Sequence, residues 1–593
     1  MATKGTPTKN TLPLRAADFD TLVEALDYAA QGVTGFNFYN ARGQLYCALP
    51  YAELRQRAVE LARRLLGTGV ERGDRLALIA ETGPQFVIFF YACQYAGLVP
   101  VPMPAAVHLG GRQAFIKQIR AMLQSSTPRL AMAPPDFIDM LQEAATDLPI
   151  DMVAEADEFH ALPESDLDLR LPSPSDLAYL QYTSGSTRFP RGVMITQQAV
   201  MSNLCGILRD GMAMNESDRC VSWLPYYHDM GLVGLVLACM ASQRSVDYLG
   251  TRDFAMRPRV WLKIMSENGG TVSFSPPFGY ELCARRLRDS DIEKLDLKAW
   301  RVAGVGAETI RPSSLRHFAE KLRPCGFDGR AFLPCYGMAE TSLAISFGPL
   351  GEGFNIDYVD GDTLGQQRVA EAISNPDKAA GAGRHVSEFV RCGITLPDME
   401  MEIRDDQGQP LGERQCGTIF VRGTSVMTGY FNDPQSTADV LSEDQWLNTG
   451  DLGYRVGNEV VITGRQKDLI IIKGRNIWPQ DLEYVAERQS EVRPGDASAF
   501  SIPVEDNEQA VMVVQCRQAD RALRQHLAEN IRRDVQSEFG IDCLIELVPP
   551  HTLPRTSSGK LSRSGARRDF QQRHQAVDLK EQAIHDTVLS LAG

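Results

Sequence analysis

The chain has 593 residues, more than one hydrophobic core organises, so two to four domains or subdomains are expected. Its composition is that of an ordinary globular protein, and its net charge of -14 argues against nucleic acid as a bulk partner, because no basic stripe offsets the acidity. Twelve cysteines without a C-x-x-C pair and nine histidines without metal-ligand spacing point to reduced thiols in a cytoplasmic protein and away from structural zinc.

Met1 to Arg15 is polar and lacks the apolar core of a secretion signal. Residues 17–67 alternate helix-like and strand-like patterns, and Tyr51–Leu66 carries apolar residues at i, i+3, i+4 and i+7, the spacing of an amphipathic helix. A buried strand follows at 75–80, then a buried helix at 86–93 that runs on into a strand. Gln94, Gly97, Pro100, Pro102 and Pro104 interrupt this most apolar stretch, so it is no membrane span and stable membrane insertion is not expected. Leu177–Tyr182 reads as a strand, 193–195 as another, and Thr196 as the N-cap of a helix to about residue 209. Strand and helix alternate to about residue 345, which predicts an α/β fold with mostly parallel sheets. Residues 353–386 carry a strand-like pattern at 354–359 and a helix-like one at 367–373. Short strands and turns then predict a small β-rich subdomain at about 393–464. Beyond 465 a compact α+β domain is expected, with strands at 497–502, 510–514 and 544–548, the helix Arg521–Phe539, and a surface helix at about 575–593.

Five short motifs carry the chemistry. Between the strands at 177 and 193, Thr183, Ser184, Gly185, Ser186, Thr187 and Arg188, with Arg191 and Gly192 behind, gather hydroxyls, guanidiniums and close-approach backbone, which suits wrapping a polyphosphate. It is not a Walker A loop, for Pro190 stands five residues after Gly185 where that motif opens a helix. Residues 333–341 combine Tyr336, Gly337, Met338 and Glu340. An aromatic beside a glycine suits stacking on a base, and one carboxylate near phosphates suits Mg²⁺, which takes few protein ligands. Asp451 stands on a tight turn, suited to accepting hydrogen bonds from ribose hydroxyls. Arg465, Lys467 and Asp468 precede a buried strand, and Lys560 sits on a glycine-flanked loop near the C-terminus.

In this order and spacing the motifs resemble the adenylate-forming superfamily of acyl-CoA synthetases, peptide-synthetase adenylation domains and luciferases, over nearly the whole chain. The resemblance implies an ATP- and Mg²⁺-dependent enzyme in which the loop 183–192 cradles the β- and γ-phosphates and Tyr336 stacks on adenine. Gly306, Ala307 and Glu308 would complete the adenine pocket, Glu340 would hold Mg²⁺, and Asp451 and Arg465 would bind ribose. Lys560 would contact the carboxylate and α-phosphate, His228 would sit beside the substrate carboxylate, and Lys467 would mark the hinge between an N-terminal domain (1–464) and a mobile C-terminal domain (465–593). Residues 231–237 and 274–280 fall where the superfamily lines its acyl tunnel; both are apolar and punctuated by glycine, as an alkyl chain requires, and Asp229 is the only acid nearby.

Two departures narrow the resemblance. Arg188 and Arg191 replace the usual glycine and lysine of the phosphate loop, and the 53 positions from Glu340 to Gly393 exceed the usual gap. The excess, about 353–386, is similar to the insertion of fatty acyl-AMP ligases. That likeness implies an inserted segment packed between the two domains, hindering the rotation that would let free coenzyme A react. The acceptor would then be the phosphopantetheine of a holo-acyl carrier protein, as in polyketide or nonribosomal peptide synthetases. A long-chain acyl-CoA synthetase is the nearest alternative, and a catalytically silent acyl- or nucleotide-binding relative the next.

Overall fold

The computed structural model describes residues 5–105, 111–183, 190–472, 475–504, 507–555 and 561–574. The helix Tyr51–Leu66 buries Leu54, Ala58, Leu61 and Leu65, one apolar stripe along its length. Its neighbour Pro84–Ala96 is apolar all round, so every residue from Phe86 to Ala96 is buried. Gly97, at φ 69°, ends that helix in the left-handed conformation that glycine adopts freely.

Among the described residues, fourteen strands hydrogen-bond into one sheet. Its parallel part runs, in spatial order, Gly35–Tyr39, Val246–Leu249, Cys220–Ser222, Val272–Ser275, Val302–Val305 and Phe332–Gly337. A second parallel sheet holds Val99–Met103, Arg75–Ile79, Leu130–Met132 and Met152–Ala154. This is the α/β class that the alternation predicts. The β-rich region does not form a sheet of its own. Ala344–Phe347 folds back antiparallel on Phe332–Gly337, and Val386–Thr395, Glu459–Arg465, Leu447–Val456, Gly417–Gly423 and Met399–Arg404 continue outward from it. Pairing in this way leaves no open edge at the last parallel strand.

The segment 353–386 is anchored to that sheet. Its strand Ile356–Asp360 pairs with Val386–Thr395, and Asp357 sits buried between Arg414 (2.9 Å), Arg391 (3.5 Å) and the Tyr454 hydroxyl (2.7 Å). The helix-like pattern at 367–373 is not realised. The helix there is Gly361–Gln367, and Arg368, at φ 56°, ends it. Val369 and Ala372 instead bridge antiparallel to Gln415 and Val359, so the sheet takes these residues.

In the C-terminal part, Ala497–Val504, Asn507–Gln515 and Cys543–Val548 form a three-stranded sheet covered by the predicted helix Arg521–Phe539. The surface helix expected at 575–593 lies outside the described residues. The segment 353–386 touches this part directly: Asp362 pairs with Arg475 at 3.0 Å, Asn476 donates to the Gly365 carbonyl at 3.1 Å, and the His385 and Phe539 rings meet at 4.7 Å. A second contact is ionic. Arg311, from the large α/β part, reaches Glu487 and Glu483, and Glu483 is also held by Arg563 at 2.7 Å.

Candidate active site

Parallel strands deliver their following loops to one edge, and ligands of open α/β sheets collect there. Gly306, Ala307 and Glu308 leave the end of Val302–Val305, Tyr336 and Gly337 close Phe332–Gly337, and His228 follows Cys220–Ser222. The backbone there is crowded. A Cβ on Gly337 would lie 1.9 Å from the Leu343 carbonyl oxygen and one on Gly306 2.7 Å from that of Cys335, so neither site admits a side chain without movement. Ala307 holds φ 70°, rare for a residue other than glycine.

These loops enclose a cavity of about 370 Å³ with both polar and apolar lining. Thr183, His228, Ala307, Tyr336, Gly337, Met338, Glu340, Arg465 and Lys467 all line it. Asp451 is joined to them: its carboxylate accepts the Tyr336 hydroxyl at 2.8 Å and pairs with Arg465 at 3.3 Å. The antiparallel register sets Asp451 opposite Arg465, so two motifs distant from Tyr336 in sequence converge on it. Burial pushes the Tyr336 phenol well up, with Asp451 adding to the shift, and so keeps it a hydrogen-bond donor.

Glu340 is 8% exposed, and burial raises its carboxyl, opposed chiefly by the Tyr430 hydroxyl, 2.8 Å away. A single buried carboxylate whose charge is penalised in this way is a fitting donor for Mg²⁺, whose charge would relieve the penalty. Tyr430 is a residue that the motifs pass over. It bridges to Val193, beside the phosphate loop, and its ring lies 5.1 Å from the Arg191 guanidinium. Nothing local in the sequence announced a partner 90 positions away.

His228 caps the short turn after it, its Nδ1 accepting from Met230 N at 3.3 Å and lying 2.7 Å from Asp229. Glu308 does not face this cavity. It accepts from Phe278 N at 3.2 Å and lines an adjoining cleft of about 1750 Å³ that runs toward the C-terminal part. Tyr227, His228, Ala307, Tyr336 and Arg465 border both spaces, so the cavity opens into the cleft. Ser184, Gly185, Ser186, Thr187, Arg188 and Lys560 lie outside the described residues.

The apolar lining of the cavity is formed by Ile207, Met212, Gly234, Leu343, Ala344 and Phe347. Ile207, Met212, Ala344 and Phe347 are buried. The backbone is π-helical at Ile207–Gly211 and Leu232–Leu237, a form that recurs at functional sites. Of the two stretches expected to line an acyl tunnel, Gly234 and Phe274 reach this cavity, whereas Phe278 faces the cleft.

Residues 38–431 match the family described as AMP-binding enzyme. A Caulobacter vibrioides protein named "Putative acyl-CoA synthetase" is 46% identical over 95% of this chain and 97% of its own length. A solved structure from studies of fatty acyl-adenylate ligases from E. coli and L. pneumophila superposes with a TM-score of 0.89 at 48% identity, covering 95% of this chain and 100% of that one. A medium-chain-fatty-acid–[acyl-carrier-protein] ligase of Moorena producens is 29% identical over 93% of this chain and 95% of its own. Motif order, fold and similarity agree: this chain belongs to the AMP-binding enzyme family and is a ligase of the fatty acyl-adenylate-forming type.

Proposed function

We propose that this protein activates a fatty acid with ATP to the acyl-adenylate, releasing pyrophosphate, and passes the acyl group to the phosphopantetheine thiol of a holo-acyl carrier protein in the cytoplasm. The observation that carries this reading is the cavity lined by polar Tyr336, Glu340 and Arg465 and by apolar Met212 and Phe347. A nucleotide suits the first set and an alkyl chain the second, and His228 lines the same cavity.

In the first step a carboxylate oxygen of the acid bonds to the α-phosphorus and the bond to pyrophosphate breaks, so charge builds on the oxygens in flight. Catalysis then rests on positioning and electrostatics, without a protein nucleophile. Arg465 and Asp451 would fix the ribose, and Tyr336 the adenine. Thr183 and the hydroxyl loop would orient the departing pyrophosphate, and Lys560 would balance charge at the α-phosphate. Glu340 would hold Mg²⁺, which supplies positive charge to the phosphate oxygens. In the second step the thiol sulfur bonds to the acyl carbon, the thiol proton leaves to solvent, and AMP departs as its anion. Lys467 would be the pivot between the steps.

The segment 353–386 supports the choice of a carrier over free coenzyme A, since it ties the large sheet to Arg475, Asn476 and Phe539. The Moorena relative, named for transfer to a carrier, supports it as well. A second reading, transfer to free coenzyme A, is favoured by the name of the Caulobacter relative. Purified protein, Mg-ATP and fatty acids with either holo-carrier or coenzyme A separate the two. Acyl-carrier is expected, and rapid acyl-CoA formation would reverse the choice. Lys560→Ala should lose most acid-dependent pyrophosphate release while still binding ATP, and retained release would show that the lysine is misassigned.

A further inference from the structure

A chain this acidic nonetheless gathers arginines at the mouth of the large cleft. The helix Thr251–Met256 and the helix Pro277–Arg286 are joined there, because Arg286 donates to the carbonyls of Ala255 and Met256 at 3.2 Å each. Arg252, Arg257, Arg285 and Arg286, on or next to these two helices, are all exposed, and so is Met256, at 52%. Arg252, Arg285 and Arg286 line the cleft, and Arg493 and Arg517 line it from the C-terminal side. Among the described residues none of these six makes a side-chain ion pair, whereas the neighbouring Arg259 is taken by Asp291 at 3.4 Å. The acids nearby offset part of the patch: Asp253, raised by burial, is pulled back toward its charged form by Arg252 and Arg257, and Glu281 lies 3.7 Å from His317.

Exposed arginines without an ion pair contribute little to stability. They do serve encounter. A positive rim at the mouth of a channel raises the local concentration of an anionic partner and fixes its approach. The channel behind the rim leads to Tyr227, His228, Ala307 and Tyr336, which it shares with the nucleotide cavity.

We propose that Arg252, Arg257, Arg285 and Arg286, together with Met256, form the docking surface for the acidic face of the thiol-bearing carrier protein, whose arm enters by the cleft. The inference rests on the carrier reading above. It commits to that occupant because the patch is positive, carries an exposed apolar residue, and adjoins the route to the reacting carbon.

The test uses the full-length protein and the double variant Arg252→Glu, Arg285→Glu, with Mg-ATP, a fatty acid and a panel of acidic holo-carrier proteins. Acid-dependent pyrophosphate release should be unchanged, which also shows the variant is folded. The KM for the carrier should rise about tenfold and its dependence on salt should flatten. Wild type that acylates a carrier while the variant keeps the same KM and salt slope overturns the docking surface and leaves the carrier reading standing. Wild type that acylates no carrier removes both. Unchanged carrier kinetics with arginine-dependent sedimentation on phosphatidylglycerol vesicles would give the patch to a membrane surface and likewise overturn the proposal.

Discussion

Asp481 lies in the first turn of the helix Pro479–Glu487, and burial pushes its carboxyl up to about 6. His385 and Arg311 pull it down and Glu483 pushes it further up. A carboxyl that holds its proton more tightly folded than unfolded contributes most below the unfolded value of about 3.9, and that contribution is lost as pH rises to about 6. Asp481→Asn removes the charge and should stabilise the protein at pH 7.5 by about 1 kcal/mol, after allowance for solvent screening, with no gain at pH 4. Thermal unfolding at the two pH values measures this, and equal shifts at both would contradict it. Residues of this kind are invisible in sequence, because Asp481 owes its environment to His385 and Arg311, far away in the chain. Tyr430 is the same case inside the site, placed against Glu340 by a β-bridge. Tyr336, Asp451 and Arg465 were legible because each stands in a motif whose residue types state their own chemistry, although only register reveals that they touch.

Elements were read best where one periodicity ruled a long stretch. Tyr51–Leu66 and Arg521–Phe539 begin and end where the patterns say. The stretch 367–373 misled because its apolar spacing fits a helix while the neighbouring strands offer Val369 and Ala372 hydrogen bonds that a helix would forfeit. The same segment suggests how to test its role. Deleting 353–386 would also remove Asp357 and strand Arg414, Arg391 and the Tyr454 hydroxyl without their buried partner, so a wedge is cleaner. A Cβ on Gly365 would lie 2.7 Å from the Asn476 carbonyl oxygen, so Gly365→Val should push the segment off the C-terminal part. Transfer to coenzyme A should then rise several-fold with adenylate formation unchanged; no rise would deny the segment its role as a barrier. The π-helical walls of the apolar lining make a parallel case for chain length. Gly234 faces only the Leu343 tip, at 3.2 Å, so Gly234→Leu should favour shorter acids. Met212→Ala should favour acids longer by about one or two methylenes, at about 1–3 kcal/mol of discrimination each. The ratio of kcat/KM values across a homologous series reads both, and an unmoved optimum in both variants would place the alkyl chain elsewhere.

At the scale of the whole molecule, the alternation of strand and helix disclosed the parallel sheets but not their joining to the β-rich region, since strand order across a sheet leaves no mark on local sequence. Nor could the balance of charge reveal the arginine rim, which is assembled from two segments about thirty residues apart and diluted by acids elsewhere. Part of the contact between the large part and the C-terminal part is written in the same currency: Arg311 with Glu483 and Glu487. This ionic part answers to temperature differently from the apolar part of the same contact, where Trp478 packs with Val359, Leu364 and Tyr454. Hydration of charged groups weakens on heating, so keeping these side chains from water costs less in the warm, while apolar burial gains little there. Heating therefore favours the ionic part of the contact over the apolar part.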